Sequence, residues 1–73
     1  MNIHWLCTEL QVLRKEAPLS REVLASLTKT SASTIANFEH GKANVAFSTV
    51  EKWFNELGYE IDIHKIKKRE GAD

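Results

Sequence analysis

The segment from residue 20 to residue 41, SREVLASLTKTSASTIANFEHG, constrains the fold more than any other part of the chain. Ser20 and Ser31 each stand before a short helical pattern, where a serine hydroxyl can accept a hydrogen bond from a backbone N–H of the first turn. Gly41 follows the second pattern, and glycine is typical of the position after a helix. The segment predicts two short helices joined by a tight turn, which must pack on flanking helices because helices of this length are marginal alone.

Apolar side chains give each short helix an inner side. Leu24 and Leu27 recur on one side of the first helix, and Ile35 and Phe38 lie three residues apart in the second. Such spacing predicts a buried stripe along each helix.

These residues resemble the helix-turn-helix of the Cro/C1-type (XRE-like) repressor family. LSREVLA, followed by S-x-S-T-I-x-x-F-E-x-G-K, is similar to the family pattern L-S-Q-E-x-L-A, then S-x-x-T-I-x-x-I-E-x-G. The resemblance extends more loosely over residues 5–58, because the family has one helix before the motif and another after it. It implies an all-α, lambda-repressor-like DNA-binding domain of four helices. The matching positions are Leu19, Ser20, Glu22, Leu24, Ala25, Ser31, Thr34, Ile35, Glu39 and Gly41, with Phe38 in place of an aliphatic residue.

Two residues depart from the family pattern. Arg21 stands where the family usually has glutamine, and Lys29 stands where the turn usually has glycine. If Lys29 takes a positive φ, the strain relative to glycine is roughly 1 kcal/mol.

The flanking segments predict one helix on each side of the motif. Residues 3–17 place apolar side chains on one face of a helix that Pro18 ends, and Trp5, off this face, is expected in the core. Arg14 and Lys15 suit the negative pole at the end of that helix. The apolar face consists of Leu6, Leu10, Leu13 and Ala17.

The helix after the motif is predicted to start at a capping box, Ser48 to Glu51. Its apolar stripe, Val50, Trp53, Phe54 and Leu57, is the largest in the chain, and Gly58 ends it. Phe47, just before the box, is expected to reach the core.

Residues 59–64 alternate apolar and polar, which predicts a short C-terminal strand. No second strand is predicted, so we expect the segment to pair with its copy across a homodimer, through Tyr59, Ile61 and Ile63. A fifth helix is the alternative. The predicted domain organisation is a helix-turn-helix domain over residues 1–64, including this strand, and a charged flexible tail over residues 65–73.

Composition limits the classes of function. The chain has 73 residues, ten basic and ten acidic, so DNA affinity must come from local charges rather than from a global positive field. Cys7 is the one cysteine, which excludes an internal disulfide and fits a reducing cytosol; we expect it to be buried or half-buried. With no long apolar run and no leader-like start, a soluble, cytoplasmic protein without a membrane partner is expected.

No residue pattern indicates an enzyme. The three histidines are scattered without the spacing of metal ligands, and no acid, thiol or serine stands in a recognisable catalytic setting. No glycine-rich loop suited to a nucleotide is present. We therefore expect no catalytic residue, no metal and no cofactor.

The outer side of the second motif helix, about residues 32–40, is the predicted reader of double-stranded DNA. Early residues of a helix in the major groove face base edges, where an asparagine amide can pair with adenine and alanine can contact a thymine methyl. In the family, positions matching Ala32, Ser33 and Asn37 are the usual base readers. The predicted set is Ala32, Ser33, Ala36 and Asn37, above A·T steps.

Phosphate contacts are expected at the two edges of the motif. Ser20 and Arg21 open the first motif helix, whose exposed N–H groups suit a phosphate. The resemblance implies a second group at the far end of the motif. Its members are Thr34, His40, Lys42 and Asn44.

The function expected from these features is a homodimeric, sequence-specific repressor bound to a palindromic operator. The alternative is an antitoxin that uses the same domain to repress its own operon and binds a toxin protein; the terminal strand and basic tail favour it. A third hypothesis is an interaction module that has lost DNA binding, which the neutral charge would suit.

Overall fold

The computed structural model describes residues 4–61 and 65–68 and contains four helices followed by a short antiparallel hairpin. Within these residues, no helix combines the length and the apolar character needed to cross a bilayer. The elements in chain order are α1 His4–Glu16, α2 Arg21–Thr28, α3 Ala32–Glu39, α4 Phe47–Glu56, β1 Tyr59–Ile61 and β2 Ile66–Lys68.

Helix α1 lies against the core with most of its predicted stripe, but Ala17 follows the end of the helix and is exposed. Leu6 and Leu10 are fully buried, and Cys7 between them is buried as expected. The helix ends before Pro18, and the backbone N–H of Leu19 donates to the carbonyl of Arg14 at 2.8 Å. Trp5, by contrast, is 37% exposed, so its predicted place in the core is wrong. It stands off the stripe, on a side of α1 that faces solvent.

Both motif helices begin at the predicted serine caps. The hydroxyl of Ser20 accepts the backbone N–H of Val23 at 3.1 Å, and the hydroxyl of Ser31 accepts that of Thr34 at 3.2 Å. Each bond satisfies a donor that the helix itself leaves unpaired. The two caps fix where α2 and α3 start, and the Ser31 cap marks the end of the turn between them.

The turn between α2 and α3 bends at Lys29, which takes the left-handed conformation, φ 57° and ψ 43°. The N–H of Thr30 donates to the carbonyl of Ala25 at 2.9 Å, and that of Lys29 lies 3.4 Å from the carbonyl of Ser26. This is a Schellman ending, in which glycine is the usual residue at the bend. Lys29 therefore has the positive φ that carries strain relative to glycine, and a lysine side chain has to be accommodated there.

The buried side of α2 differs from the prediction at one position. Leu27 is 53% exposed, and Thr28 is buried in its place. Thr28 stands four residues after Leu24, about one helical turn, and so lies on the same side of α2 as that buried leucine. The Thr28 hydroxyl donates to the Leu24 carbonyl at 2.8 Å. Because that bond satisfies the hydroxyl, a threonine can be buried there without loss. Leu27 lies at the rim of an open hollow that Lys52 also lines.

Helix α4 starts earlier than predicted. Its N-cap is Ala46, with no side-chain cap bond, so the predicted capping box of Ser48 and Glu51 is wrong. Phe47 is the first helical residue and packs, half-buried, against the core. The predicted stripe is otherwise confirmed, because Val50, Trp53 and Phe54 are fully buried.

All four helices contribute side chains to the core, and an aromatic pair joins α3 to α4 within it. The rings of Phe38 and Trp53 have centroids 5.4 Å apart and planes inclined at 55°. Tilted aromatic pairs of this kind add to the gain from burial.

The C-terminal segment forms a hairpin within the chain. Tyr59 to Ile61 are a strand, as predicted, rather than a fifth helix, but they pair antiparallel with Ile66 to Lys68, with Ile61 opposite Ile66. The expectation that this strand has no partner in its own chain is therefore wrong, and part of the predicted tail is a second strand. Tyr59, Ile61 and Ile66 pack against the core. The predicted strand residues 62–64, and the last residues of the tail, lie outside the described residues.

Candidate nucleic-acid interface

Helix α3 separates a buried side from an open side. Ile35 is completely buried and Phe38 is 2% exposed, whereas Ser33 and Asn37 are exposed. Ala32 and Ala36, the other two predicted base readers, are half-buried, and Ala32 also packs against the core. The four predicted residues therefore share one side of α3. The two polar side chains are exposed on that side, and the two alanines are half-buried.

The cap of α3 also orients Ser33. The Ser31 oxygen accepts the N–H of Thr34 at 3.2 Å and the hydroxyl of Thr34 at 3.3 Å, and it lies 2.8 Å from the Ser33 oxygen. The two bonds from Thr34 occupy both acceptor positions of the Ser31 hydroxyl. Its proton then goes to Ser33, which leaves the Ser33 O–H free to donate outward.

The far end of α3 holds Lys42 close to Asn37. The helix ends at Gly41, whose φ is 73°, and the N–H of Lys42 donates to the Asn37 carbonyl at 2.8 Å. Glycine takes this left-handed conformation without strain. His40, Lys42 and Asn44 are all exposed. Three of the predicted phosphate contacts thus lie in one connection beside the open side of α3.

The other predicted phosphate contacts are already engaged within the chain. Ser20 is exposed, but its hydroxyl caps α2, and Thr34 is half-buried with its hydroxyl on Ser31. Arg21, the first residue of α2, donates from Nε to the Glu39 carboxylate at 2.9 Å. Its side chain remains 32% exposed.

An ion cluster that the sequence analysis does not predict joins Arg21 to two buried charged residues, Glu39 and Arg14. Glu39, with no exposed side-chain area, receives Arg14 Nε at 2.7 Å and Arg14 Nη2 at 3.2 Å. Arg14 Nη1 also donates to the carbonyl of Leu19 at 2.8 Å. Two arginines and one carboxylate therefore join α1, α2 and α3 at one point and leave one surplus positive charge.

A signal for this cluster was present in the sequence. Arg14 stands four residues after Leu10 and eight after Leu6, on the apolar stripe of α1, and Glu39 stands four after Ile35 on the inner side of α3. A charge on an apolar stripe indicates a buried partner of opposite sign, since unpaired buried charges are costly. Arg14 also lies near the end of α1, where a cation suits the negative pole of the helix. That interpretation explains the residue without a partner, so the sequence analysis does not predict the buried pair.

The predicted dimer residues serve their own chain. Tyr59 and Ile61 are half-buried against the core through the hairpin, and Ile63 lies outside the described residues. Among the described residues, no group of three or more histidine, cysteine, aspartate or glutamate side chains is placed to hold a metal.

The chain matches the model of one protein family, described as a helix-turn-helix domain, over residues 9–70. No curated protein and no solved structure matches it. The matched region covers most of the chain and contains both motif helices, α4 and the hairpin. Members of helix-turn-helix families insert the second motif helix into the major groove of DNA. The chain belongs to this helix-turn-helix family, and membership indicates a DNA-binding regulator.

Proposed function

We propose that the chain is a sequence-specific regulator of transcription of the Cro/C1 type, which inserts α3 into the major groove of double-stranded DNA. The observation that carries the proposal is the division of α3: Ser33 and Asn37 are exposed, while Ile35 and Phe38 are buried. Nothing in the described residues covers the polar side. A helix held by its apolar side and open on its polar side has the form that groove insertion requires.

Base reading falls to the open side of α3. The Asn37 side-chain amide can pair bidentately with adenine, because its NH2 group donates to N7 and its oxygen accepts from the N6 amino group, and the half-buried Ala32 and Ala36 can contact thymine methyl groups. Ser33, with its proton free, reads an acceptor such as thymine O4 or purine N7. We therefore expect A·T steps beneath α3.

Phosphate contacts at both ends of the motif supply the affinity. The chain has no net charge, so the attraction depends on cations placed beside the open side of α3, above all Arg21 and Lys42. Polar side chains add to them. They are Ser20, His40 and Asn44, together with Thr34 once its hydroxyl releases the bond to Ser31. Each cation that neutralises a phosphate releases counterions, so affinity falls as salt rises.

We further propose that two chains bind together as a repressor. One edge of β1 carries β2, and the other edge pairs with no described residue. Two copies paired through this edge would form one sheet of four short strands, with Tyr59 and Ile61 near the two-fold axis. The third predicted contact, Ile63, lies outside the described residues. Half-sites would then lie about one helical turn, ~10 bp, apart.

An antitoxin is the second candidate. The hairpin adds exposed Lys65, Lys67 and Lys68 outside the helix-turn-helix motif. Such a surface could hold an acidic partner protein while α3 remains on DNA. Co-purification with the product of an adjacent reading frame would separate an antitoxin from a simple repressor.

Selection from random DNA duplexes tests the proposal. We expect enrichment of a palindrome with A·T steps in each half-site. A chain that enriches no sequence would contradict DNA reading and favour an interaction module.

A matched pair of lysine variants then tests the orientation. Lys42 and Lys52 are both exposed, but Lys52 lies on α4. Lys42→Ala should weaken binding to the selected duplex and lower the salt slope by about 1. Lys52→Ala should change neither, and equal effects of the two variants would exclude the proposed orientation.

A further inference from the structure

The ion cluster of Arg14, Glu39 and Arg21 has an arrangement that packing alone does not require. Glu39 and Arg14 already form a two-bond pair, with Nε to Oε2 at 2.7 Å and Nη2 to Oε1 at 3.2 Å. Arg21 adds a third bond from its Nε to Oε1 at 2.9 Å. One carboxylate thus holds two guanidinium groups, of which one is buried and the other reaches the surface.

The third bond determines which part of Arg21 remains available. Its Nε is taken by Glu39, and the two terminal nitrogens make no hydrogen bond to any described residue. In the described part of the chain, every nitrogen or oxygen that is shielded from solvent in a buried or partly buried side chain has a hydrogen-bond partner. The terminal nitrogens of Arg21 therefore reach solvent, as a planar pair of donors that suits two oxygens of one phosphate.

The charges of the cluster favour an anion at this place. Arg14 neutralises Glu39 within the interior, because both side chains are almost fully buried, at 8% and 0% exposure. The charge of Arg21 is then not cancelled, although its orientation is fixed by the same carboxylate. Arginine anchored at Nε loses less side-chain freedom on binding than a free surface cation does.

We propose that Glu39 is a positioning residue for DNA binding: it holds Arg21 so that the two terminal nitrogens grip a single phosphate at the start of α2. This inference rests on the proposed function. In the family that the sequence resembles, the position of Arg21 is usually glutamine. In this chain it is a charged guanidinium group whose orientation is fixed by Glu39. Because Glu39 also ends α3, one side chain sets both the reading helix and the phosphate contact.

Substitutions of Arg21 give the first test, with the selected duplex titrated at several salt concentrations. Arg21→Ala should weaken binding about tenfold per half-site, the scale of a charged hydrogen bond, and lower the salt slope by about 1. Arg21→Lys keeps the charge but lacks the fork and the Nε bond. We expect it to bind within about threefold of Arg21→Ala. Binding of Arg21→Lys within about twofold of wild type would overturn the inference, because charge alone would then suffice.

Glu39→Gln gives the second test, because two explanations predict opposite signs. Removing a negative charge beside DNA should strengthen binding if Glu39 has only an electrostatic effect. If Glu39 orients Arg21, binding should weaken, and the loss should vanish in the Arg21→Ala background. Tighter binding of Glu39→Gln by the same factor in both backgrounds would contradict positioning. Thermal melts establish that each variant is folded at the assay temperature.

Two further measurements keep the outcomes distinct. If Glu39→Gln does not fold, the Arg21 variants and the NMR signal of the Arg21 Nε–H decide. That signal should be sharp and shifted by the carboxylate in the free wild-type chain. If Asn37→Ala weakens binding while Arg21→Lys does not, DNA reading stands and this inference fails. If wild type enriches no duplex, both fail.

Discussion

The indole N–H of Trp53 donates a hydrogen bond to the hydroxyl oxygen of Thr30, with 3.0 Å between the two atoms. The Thr30 oxygen lies 2.9 Å from that of Thr28, which donates to the carbonyl of Leu24 at 2.8 Å. Because the Thr28 proton goes to Leu24, the Thr30 proton goes to Thr28, and all three bonds run in one direction. The chain of bonds ties α4 to the turn of the motif.

Thr30→Val should lower the free energy of unfolding by about 1 kcal/mol. The shape is retained, but the Trp53 N–H loses its acceptor, and the half-buried site lets water replace only part of that bond. Chemical denaturation followed by Trp53 fluorescence measures the change. Thr30→Ser, which keeps the hydroxyl, is the control. Equal stability of the valine variant and wild type would show that the bond contributes nothing.

Lys29→Gly should stabilise the protein by up to about 1 kcal/mol. At φ 57° an L-residue is strained and glycine is not, although glycine gives back part of the gain through greater freedom in the unfolded chain. Lys29→Ala removes the charge and keeps the strain, so it should stay close to wild type. A rise in melting temperature for glycine alone would confirm the cause, whereas a rise for both variants would point to the charge.

Glu39→Ala should destabilise the fold by about 3–5 kcal/mol, because it leaves the buried Arg14 without a counter-ion. For a domain of this size, that loss is close to the whole stability. The double variant Arg14→Met with Glu39→Leu should recover at least half of it, since no buried charge remains. Urea unfolding monitored by circular dichroism gives the comparison, and a mild effect of Glu39→Ala alone would mean that Arg14 reaches water when unpaired.

Stability should fall at alkaline pH partly through Cys7. Burial raises the pKa of this thiol, and a backbone hydrogen bond offsets only part of the rise. The folded state then holds the proton more tightly than the unfolded state. The contribution is complete below the ordinary thiol pKa, about 8.5, and is lost as pH rises from there through the higher pKa of the folded state. Wild type should therefore lose more stability over that interval than Cys7→Ala; parallel curves would contradict this.

Removal of residues 59–73 should weaken self-association if β1 joins two copies. The hairpin also covers the core through Tyr59, Ile61 and Ile66, so the truncated chain should melt at a lower temperature. A chain ending at Lys68 keeps both strands and serves as the control. Sedimentation equilibrium below the melting range gives the association constants. Equal association constants for the two chains would show that β1 does not form the dimer interface.

The sequence was most informative where local rules decide the structure. The serine caps, the Gly41 ending and the inner residues Ile35 and Phe38 depend on neighbours within one or two turns, and each is found as predicted. The open side of α3 is therefore readable from the sequence, although its role in base reading stays a prediction.

Contacts between distant segments were less accessible. The pairing of Arg14 with Glu39 needs α1 beside the end of α3, which no local pattern specifies. Likewise, β2 consists of one isoleucine and two lysines, which is a weak pattern for a strand. The strand forms because Tyr59 to Ile61 supply its hydrogen-bonding partner. At α4 the helix begins at Phe47, which packs half-buried against the core, before the residues of the expected capping box. These features depend on which segments meet in the folded chain, and local rules do not specify that.

The bonds that hold the motif in shape join residues far apart in the chain: 25 positions separate Arg14 from Glu39, and 23 separate Thr30 from Trp53. During synthesis on the ribosome, α2 and α3 therefore emerge before the surface on which Phe38 packs. A nascent chain that stops short of Trp53 contains every residue of the motif but not the support that holds α3 in place. Prematurely terminated products should consequently be degraded rather than compete with the complete protein.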